Sequence, residues 1–285
     1  MMTAIVRALA RALMLAAAIA AVSAPARAQT VYRFSPVNQY GINLTAAYWN
    51  PIIAYVSEKS GVGLALKIGR TSADTTSYVL AKEVEFTFTN HLFSPEREQL
   101  GWKILGSRNL PPIKGQIVVP ENSPITDLAQ LAGHEVAFAG PEAVVGYKFT
   151  YAHLLSKNIN VVAVFGGNHD GAFTQLFSGK VKAVGTVSAL AEGYTSREGR
   201  RFRALWTSEP VHDLALMAAP QVPERDVKAV AEAFLGMARD PQGKEVLRKA
   251  SVLAGLPADT HFIASNGSEY EAYRRFYRTA PASLR

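Results

Sequence analysis

The segment Gly166-Gly167-Asn168-His169-Asp170-Gly171 carries the clearest capacity for chemistry in this sequence. An apolar run over residues 161–165 precedes it, with the length and composition of a buried strand. Residues 172–177 follow with Phe173, Leu176 and Phe177 at helical spacing, and Gly179 sits where a helix should stop. Residues 180–184 form a second candidate strand. Strand, loop, helix and strand make one parallel βαβ unit, in which ligands bind beyond the carboxyl ends of the strands and against helix N-termini. Asn168, His169 and Asp170 fall at that spot. Two uses compete there: contact with a ligand, or simple capping of the helix, for which Asp is a common residue.

Other loops at the ends of candidate strands share this character. They are residues 37–40 with Gln39 and Tyr40, the turn 71–78 ending in Tyr78, and 89–91 with Asn90 and His91. The last is 140–146, which contains Ala143, Val144, Val145 and Gly146. Several open helices, whose free N–H groups and positive dipole ends make a ready anion site. One polar loop at a strand end means little; the recurrence of such loops in one chain points to a cleft that binds a small solute.

Competing chemistries lack their residues. There is no G-x-S-x-G, H-E-x-x-H, Walker A or G-x-G-x-x-G segment, so no enzyme and no bound cofactor is expected. The histidines at 91, 134, 153, 169, 212 and 261 never stand at H-x-H or i, i+4 spacing, so no local metal set exists. The absence of cysteine excludes disulfides, thiolate zinc sites and thiol nucleophiles.

The elements that must position these loops alternate along the chain. A strand at 32–35 leads into a helix to about residue 59, with Tyr48, Ile52, Tyr55 and Val56 on one stripe and Gly61 as its stop. Pro51 inside it predicts a kink or a fresh start capped by Asn50. Strands follow at 62–68, 84–89, 102–107, 116–119 and 135–139, with short helices at 78–81, 94–96 and 123–133. Residues 143–156 read as one helix; later come strands at 202–207 and 214–218 and amphipathic helices at 224–238 and 241–250. The class is α/β, and no Gly/Ser linker divides it. Lobes joined by crossing strands, near 114–118 and 207–213, fit that pattern better than separate beads.

The first 28 residues read as an export signal: basic Arg7 and Arg11, an apolar run of 11 residues from Ala12 to Val22, and Ala26-Arg27-Ala28 as the cleavage site. An uncleaved anchor is the alternative, although a membrane helix needs about 20 apolar residues. A mature chain beginning at Gln29 loses three arginines, so the formal net charge falls from +7 to +4. That excess is too small and scattered for a nucleic-acid surface.

Several segments together resemble the phosphonate-type periplasmic solute-binding proteins of ABC transporters. They are Tyr48-Trp49-Asn50-Pro51 through Gly61, the run from Ser123 to Phe138, Gly167-Asn168-His169-Asp170, residues 240–247 and Ser268-Glu269-Tyr270. The resemblance covers nearly all of the mature chain. It implies a two-lobed type 2 periplasmic binding fold, with mixed sheets flanked by helices and the ligand held between the lobes. Residues 29–115 and 209–285 would form lobe 1, and 116–208 lobe 2. It implies a monomer that captures a small oxyanion or phosphonate-like solute and passes it to a transporter permease. A subunit presenting the solute to a membrane sensor kinase is the alternative.

The resemblance also implies site residues. The family holds phosphonyl oxygens with a Ser-Thr-Ser run at a helix N-terminus and with the histidine of a Gly-Ser-His-Asp loop. By position, Tyr78 and His91 belong to the first-lobe wall and His169 to the second. The Ser-Thr-Ser place holds Ala143-Val144-Val145 instead, Lys182 stands where an acid is expected, and Gln130 where the family has a second aspartate. The missing hydroxyls predict weak binding of phosphate and simple alkylphosphonates, unless Thr71, Ser72 or Asn90 supplies substitute donors.

Overall fold

The structure is a computed structural model that describes residues 30–285. The expected export signal over 1–28, its cleavage site and Gln29 lie outside the described residues.

The strands are β1 (Val31–Pro36), β2 (Gly63–Leu66), β3 (Phe86–Thr89), β4 (Lys103–Arg108), β5 (Gly115–Pro120) and β6 (Glu135–Phe138). They continue with β7 (Val162–Phe165), β8 (Ala183–Val187), β9 (Phe202–Thr207), β10 (Ala215–Ala218) and β11 (Phe262–Ala264). Two mixed sheets result, in the orders β11-β4-β10-β3-β1-β2 and β7-β6-β8-β5-β9. In the first, β1 runs parallel to β2 and β3, while β10 is antiparallel to β3 and β4. In the second, β6 runs parallel to β7 and β8, while β5 is antiparallel to β8 and β9. The helices are α1 (Ile42–Ser60), α2 (Asp74–Leu80), α3 (Pro95–Glu98), α4 (Thr150–Ser156), α5 (His169–Phe177), α6 (Ser188–Glu198), α7 (Glu224–Gly236), α8 (Pro241–Leu253) and α9 (Glu271–Thr279).

Helix α1 buries the predicted stripe, and Trp49 joins it with its ring 4.9 Å from Phe34 and 5.3 Å from Phe88. Burying each such side chain contributes about 1.5–3 kcal/mol, which ties the helix to β1 and β3. The helix runs unbroken through Pro51 rather than restarting there. Ala47, whose carbonyl loses its partner, and Pro51 both lie on the exposed face, where water can serve that carbonyl.

The second sheet shows the period of two expected of strands covered on both faces. Ile117, Val119, Val136 and Phe138 pack on one side with Leu154 of α4. Val118, Ala137 and Val184 pack on the other with Phe173 and Leu176 of α5. The apolar run at 161–165 is not a buried strand: β7 is an edge, with Val162 and Phe165 53% and 42% exposed. Nor do β7 and β8 touch, because β6 lies between them. An apolar run is compatible with either position, and only the pairing decides.

Two segments, 109–114 and 208–214, pass between the sheets and meet at an antiparallel bridge between Ile113 and Val211. Their N–H groups reach each other's carbonyls at 2.7 and 2.8 Å. The crossing expected at 114–118 therefore shifts toward the N-terminus. Gln116 to Val118 are held on both sides by β8 and β9, whereas Pro111 and Pro112 have no N–H to give a sheet.

Candidate functional site

The carboxyl ends of β1, β3, β6 and β8 meet where the two sheets face each other, and a small cavity lies there. Its volume is about 30 Å³, and Asn38, Gln39, Ser72, Asn90, His91, Val144, Gly146 and His169 are among the residues lining it. A water needs roughly 10–15 Å³ by this measure, so the space suits a few non-hydrogen atoms. Larger depressions exist, such as one of about 400 Å³ lined by Leu247, Arg248 and His261. None of the side chains around that one leaves a buried polar atom unpartnered, whereas Asn38 Oδ1 and Ser72 Oγ at the small cavity are both buried and unpartnered.

One wall is the segment Val144–Phe149, which forms a π-helical turn and continues directly into α4. A single helix was expected over 143–156; the wider first turns are a frequent feature of functional sites. The N–H groups of both Tyr147 and Lys148 converge on the Ala143 carbonyl. The Thr150 hydroxyl donates to the carbonyls of Gly146 and Tyr147, at 2.9 and 3.0 Å. The N–H groups of Val144, Val145 and Gly146 find no acceptor among the described residues, as the first turn of a helix requires. Gly146 cannot be replaced cheaply, since a Cβ there would lie 2.6 Å from Cε1 of His169.

His169 opens α5 beside that wall. Asn168 is the N-cap, its Oδ1 accepting from the Gly171 N–H at 2.9 Å. The imidazole Nδ1 lies 3.0 Å from the Thr186 hydroxyl at the end of β8, and Nε2 has no protein partner among the described residues. His91 repeats the arrangement from the first sheet, with Nδ1 2.9 Å from the Thr76 hydroxyl of α2. Burial pushes His169 down to about 4. Burial likewise dominates at His91, pushing it to about 3, with smaller opposing contributions from Glu142 and from Arg97 and Lys148. Both rings are therefore neutral at neutral pH.

That neutrality has a measurable consequence. The folded values lie below the ordinary 6.5, so the unfolded chain takes up these protons first. The stability from neutral burial is complete above about 6.5 and drains as pH falls toward the folded values, at about 1.4 kcal/mol per histidine per pH unit. Melting temperature should fall between pH 7 and 5 and fall less in His91→Gln. A wild-type profile flat over that range would contradict burial of neutral rings.

Contacts across the cleft surround the cavity. Arg97 meets Glu142 at 2.6 and 3.0 Å and also donates to the His91 carbonyl. Burial raises the Glu142 carboxyl, but the Arg97 hydrogen bond and charge outweigh it and hold the group below the usual range. On the opposite side, Asp170 accepts from Arg197 at 2.7 Å and from the Gly41 N–H at 3.2 Å. The His169 N–H reaches the Gln39 carbonyl at 3.3 Å, and the Ser72 N–H the Gly167 carbonyl at 2.7 Å.

The sequence-derived residues divide accordingly. Gln39, Asn90, His91, Ala143, Val144, Val145, Gly146 and His169 line one cavity. Asn168 caps α5, and Asp170 faces Arg197 and Gly41. Tyr40 is buried beneath the Arg197 guanidinium, 5.2 Å from its ring centre, and does not reach the cavity. Tyr78 turns away and stacks under Lys67 at 4.0 Å. Thr76, two residues earlier, takes the inward position, because two residues rotate about 200° around a helix. Asn38 was not singled out, although it sits in a loop that was, and Ser72 was expected only as a substitute donor. Ile113, Val187 and Leu214 complete an apolar side that no motif announces.

Among the described residues, no helix is long and apolar enough to cross a membrane. A comparison with curated proteins finds no match. Among solved structures, the chain is similar to PhnD1 from Prochlorococcus marinus in complex with methylphosphonate. The identity is 14% and the TM-score 0.73, covering 87% of this chain and 97% of that one. A binding protein component of an ABC phosphonate transporter from Pseudomonas aeruginosa is similar at 14% identity and TM-score 0.74, covering 88% of each chain. A Xanthomonas citri protein bound to ATP is similar at 16% identity and TM-score 0.66, covering 88% of this chain and 98% of that one. At such identities these likenesses show the fold, that of type 2 periplasmic binding proteins. The family described as "ABC transporter, phosphonate, periplasmic substrate-binding protein" matches residues 36–261. With that match over most of its length, the chain belongs to the family of phosphonate periplasmic substrate-binding proteins of ABC transporters.

Proposed function

We propose that this chain is exported by removal of residues 1–28 and works as a monomeric, non-catalytic receptor that delivers a small oxyanion-bearing solute to its transporter's permease. Residues 29–115 with 209–285 act as one lobe and 116–208 as the other. The observation that carries the reading is the small cavity lined both by Val144, Val145 and Gly146, whose three N–H groups have no acceptor among the described residues, and by the neutral His169 ring. His91, Asn90 and Gln39 face them from the opposite lobe.

Valines in place of hydroxyl residues set the selectivity. Ala143, Val144 and Val145 offer backbone donors only, and their side chains are buried in apolar surroundings. Each side-chain donor missing toward a charged group removes about 1.5–3 kcal/mol. Phosphate and alkylphosphonate dianions therefore bind weakly, and a smaller or less charged oxyanion binds better. Methylphosphonate, held by the Prochlorococcus protein, is the reference probe.

Binding and closure are one event in this reading, since the Arg97–Glu142 ion pair joins the lobes at one rim and the Gly41 N–H to Asp170 hydrogen bond joins them at the other. A panel of small oxyanions, screened by melting temperature, should contain at least one that stabilises the protein. Small-angle scattering should then show compaction at saturation. A stabilising solute that leaves the scattering unchanged would mean a rigid module, and a panel without effect would remove the oxyanion reading.

A further inference from the structure

The cavity's unpartnered atoms do not all suit a bare anion. Asn38 is fully buried, and its Nδ2 is committed to the Gly69 carbonyl, which fixes the amide orientation. The Oδ1 of this cavity-lining residue is therefore left as a buried acceptor with no donor among the described residues. A buried amide oxygen left unpaired is destabilising, so a ligand donor that reaches it is favoured. Ser72 Oγ, 1% exposed as a residue, is a second unpartnered atom on the same wall. A fully ionised oxyanion can accept from the Ser72 hydroxyl but has no hydrogen to give Asn38 Oδ1.

The charge balance agrees. No Lys or Arg side chain lines the cavity. Two helix N-termini reach it, the turn leading into α4 and that of α5, each equivalent to roughly half a positive charge. Their sum offsets about one negative charge, not two.

We infer that the site selects the singly charged, hydroxyl-bearing form of its oxyanion. The solute accepts from the 144–146 N–H groups and His169 while its own hydroxyl donates to Asn38 Oδ1. Ligands of the form R–PO2(OH)⁻ qualify; the corresponding dianion does not. This deepens the proposed function and rests on it. Other ionisable groups stand around the walls: His91 and His169, the pairs Arg97–Glu142, Arg108–Asp213 and Arg197–Asp170, and Lys148, Tyr40, Tyr48 and Asp74. Their titration acts on every anion alike, so a ligand of fixed charge separates it from the ligand's own.

Calorimetry should compare methylphosphonate with hypophosphite from pH 6 to 9. Hypophosphite stays a monoanion without a hydroxyl across that range. Above its second ionisation, methylphosphonate should weaken about tenfold per pH unit, following the fraction left in the competent form. Hypophosphite should stay level and bind more weakly at pH 6. Asn38→Ala should reduce the preference for methylphosphonate at pH 6 to within about threefold. Methylphosphonate binding that holds steady or strengthens toward pH 9, or that weakens in parallel with hypophosphite, would overturn the inference while leaving an oxyanion receptor intact. If neither anion binds at any pH but the panel yields another solute, the inference fails alone; if nothing binds, the proposed function fails with it. Should Asn38→Ala not fold, the wild-type pH series still decides.

Discussion

Replacing Asp213 with alanine is expected to lower the melting temperature more than any other single change considered. Asp213 accepts from Arg108 Nε and Nη2 at 2.7 and 3.1 Å, and the two side chains are 1% and 3% exposed. Arg108 ends β4, Asp213 lies in the returning segment, and Arg108 also donates to Gln39 Oε1 at the cavity wall. One pair therefore ties both crossings to the site. Removing the carboxylate leaves an uncompensated guanidinium in the interior, which costs about 3–5 kcal/mol. For a protein of this size that is roughly 6–20 °C. Thermal melts of Asp213→Ala against wild type check it, and a loss below 2 °C would show that water reaches the pair.

His169→Ala is expected to have the largest effect on binding. Loss of a hydrogen bond to a charged group removes about 1.5–3 kcal/mol, or roughly ten- to a hundredfold in affinity. The residue also has a structural role, because the Thr186 hydroxyl loses its only partner among the described residues. The ligand-free protein should therefore lose about 1–3 kcal/mol as well. The double variant His169→Ala/Thr186→Val separates the two: stability should partly return, while affinity should not. Recovery of affinity in the double variant would mean that His169 serves only to position β8 and α5.

How far the sequence could be read depends on the scale of the feature. The βαβ order and the stop at Gly61 follow from local spacing, and both appear in the fold. Sheet order does not, since the residues 161–165 look the same whether β7 is central or at an edge. At the site, His91 and His169 were legible as histidines at strand ends. Their partners Thr76 and Thr186 were not, because a threonine in a helix or strand carries no signal until the chain folds back on it. Asp170 was read as a ligand or a cap, yet it meets Arg197, 27 positions away, and Gly41, 129 away. Tyr78 illustrates the finest limit, since two positions of helical phase decide between the cavity and Lys67.

The central claim, that the cleft captures a small oxyanion at the 144–146 turn and His169, is tested most directly by what the protein carries. Wild type and His169→Ala, purified from the periplasm without refolding, should be denatured and the released solutes weighed by mass spectrometry. The account predicts one oxyanion-bearing solute of a few non-hydrogen atoms, released near stoichiometrically from wild type and about tenfold depleted or more in the variant. A bulky or cationic solute, or equal release from both proteins, would contradict it.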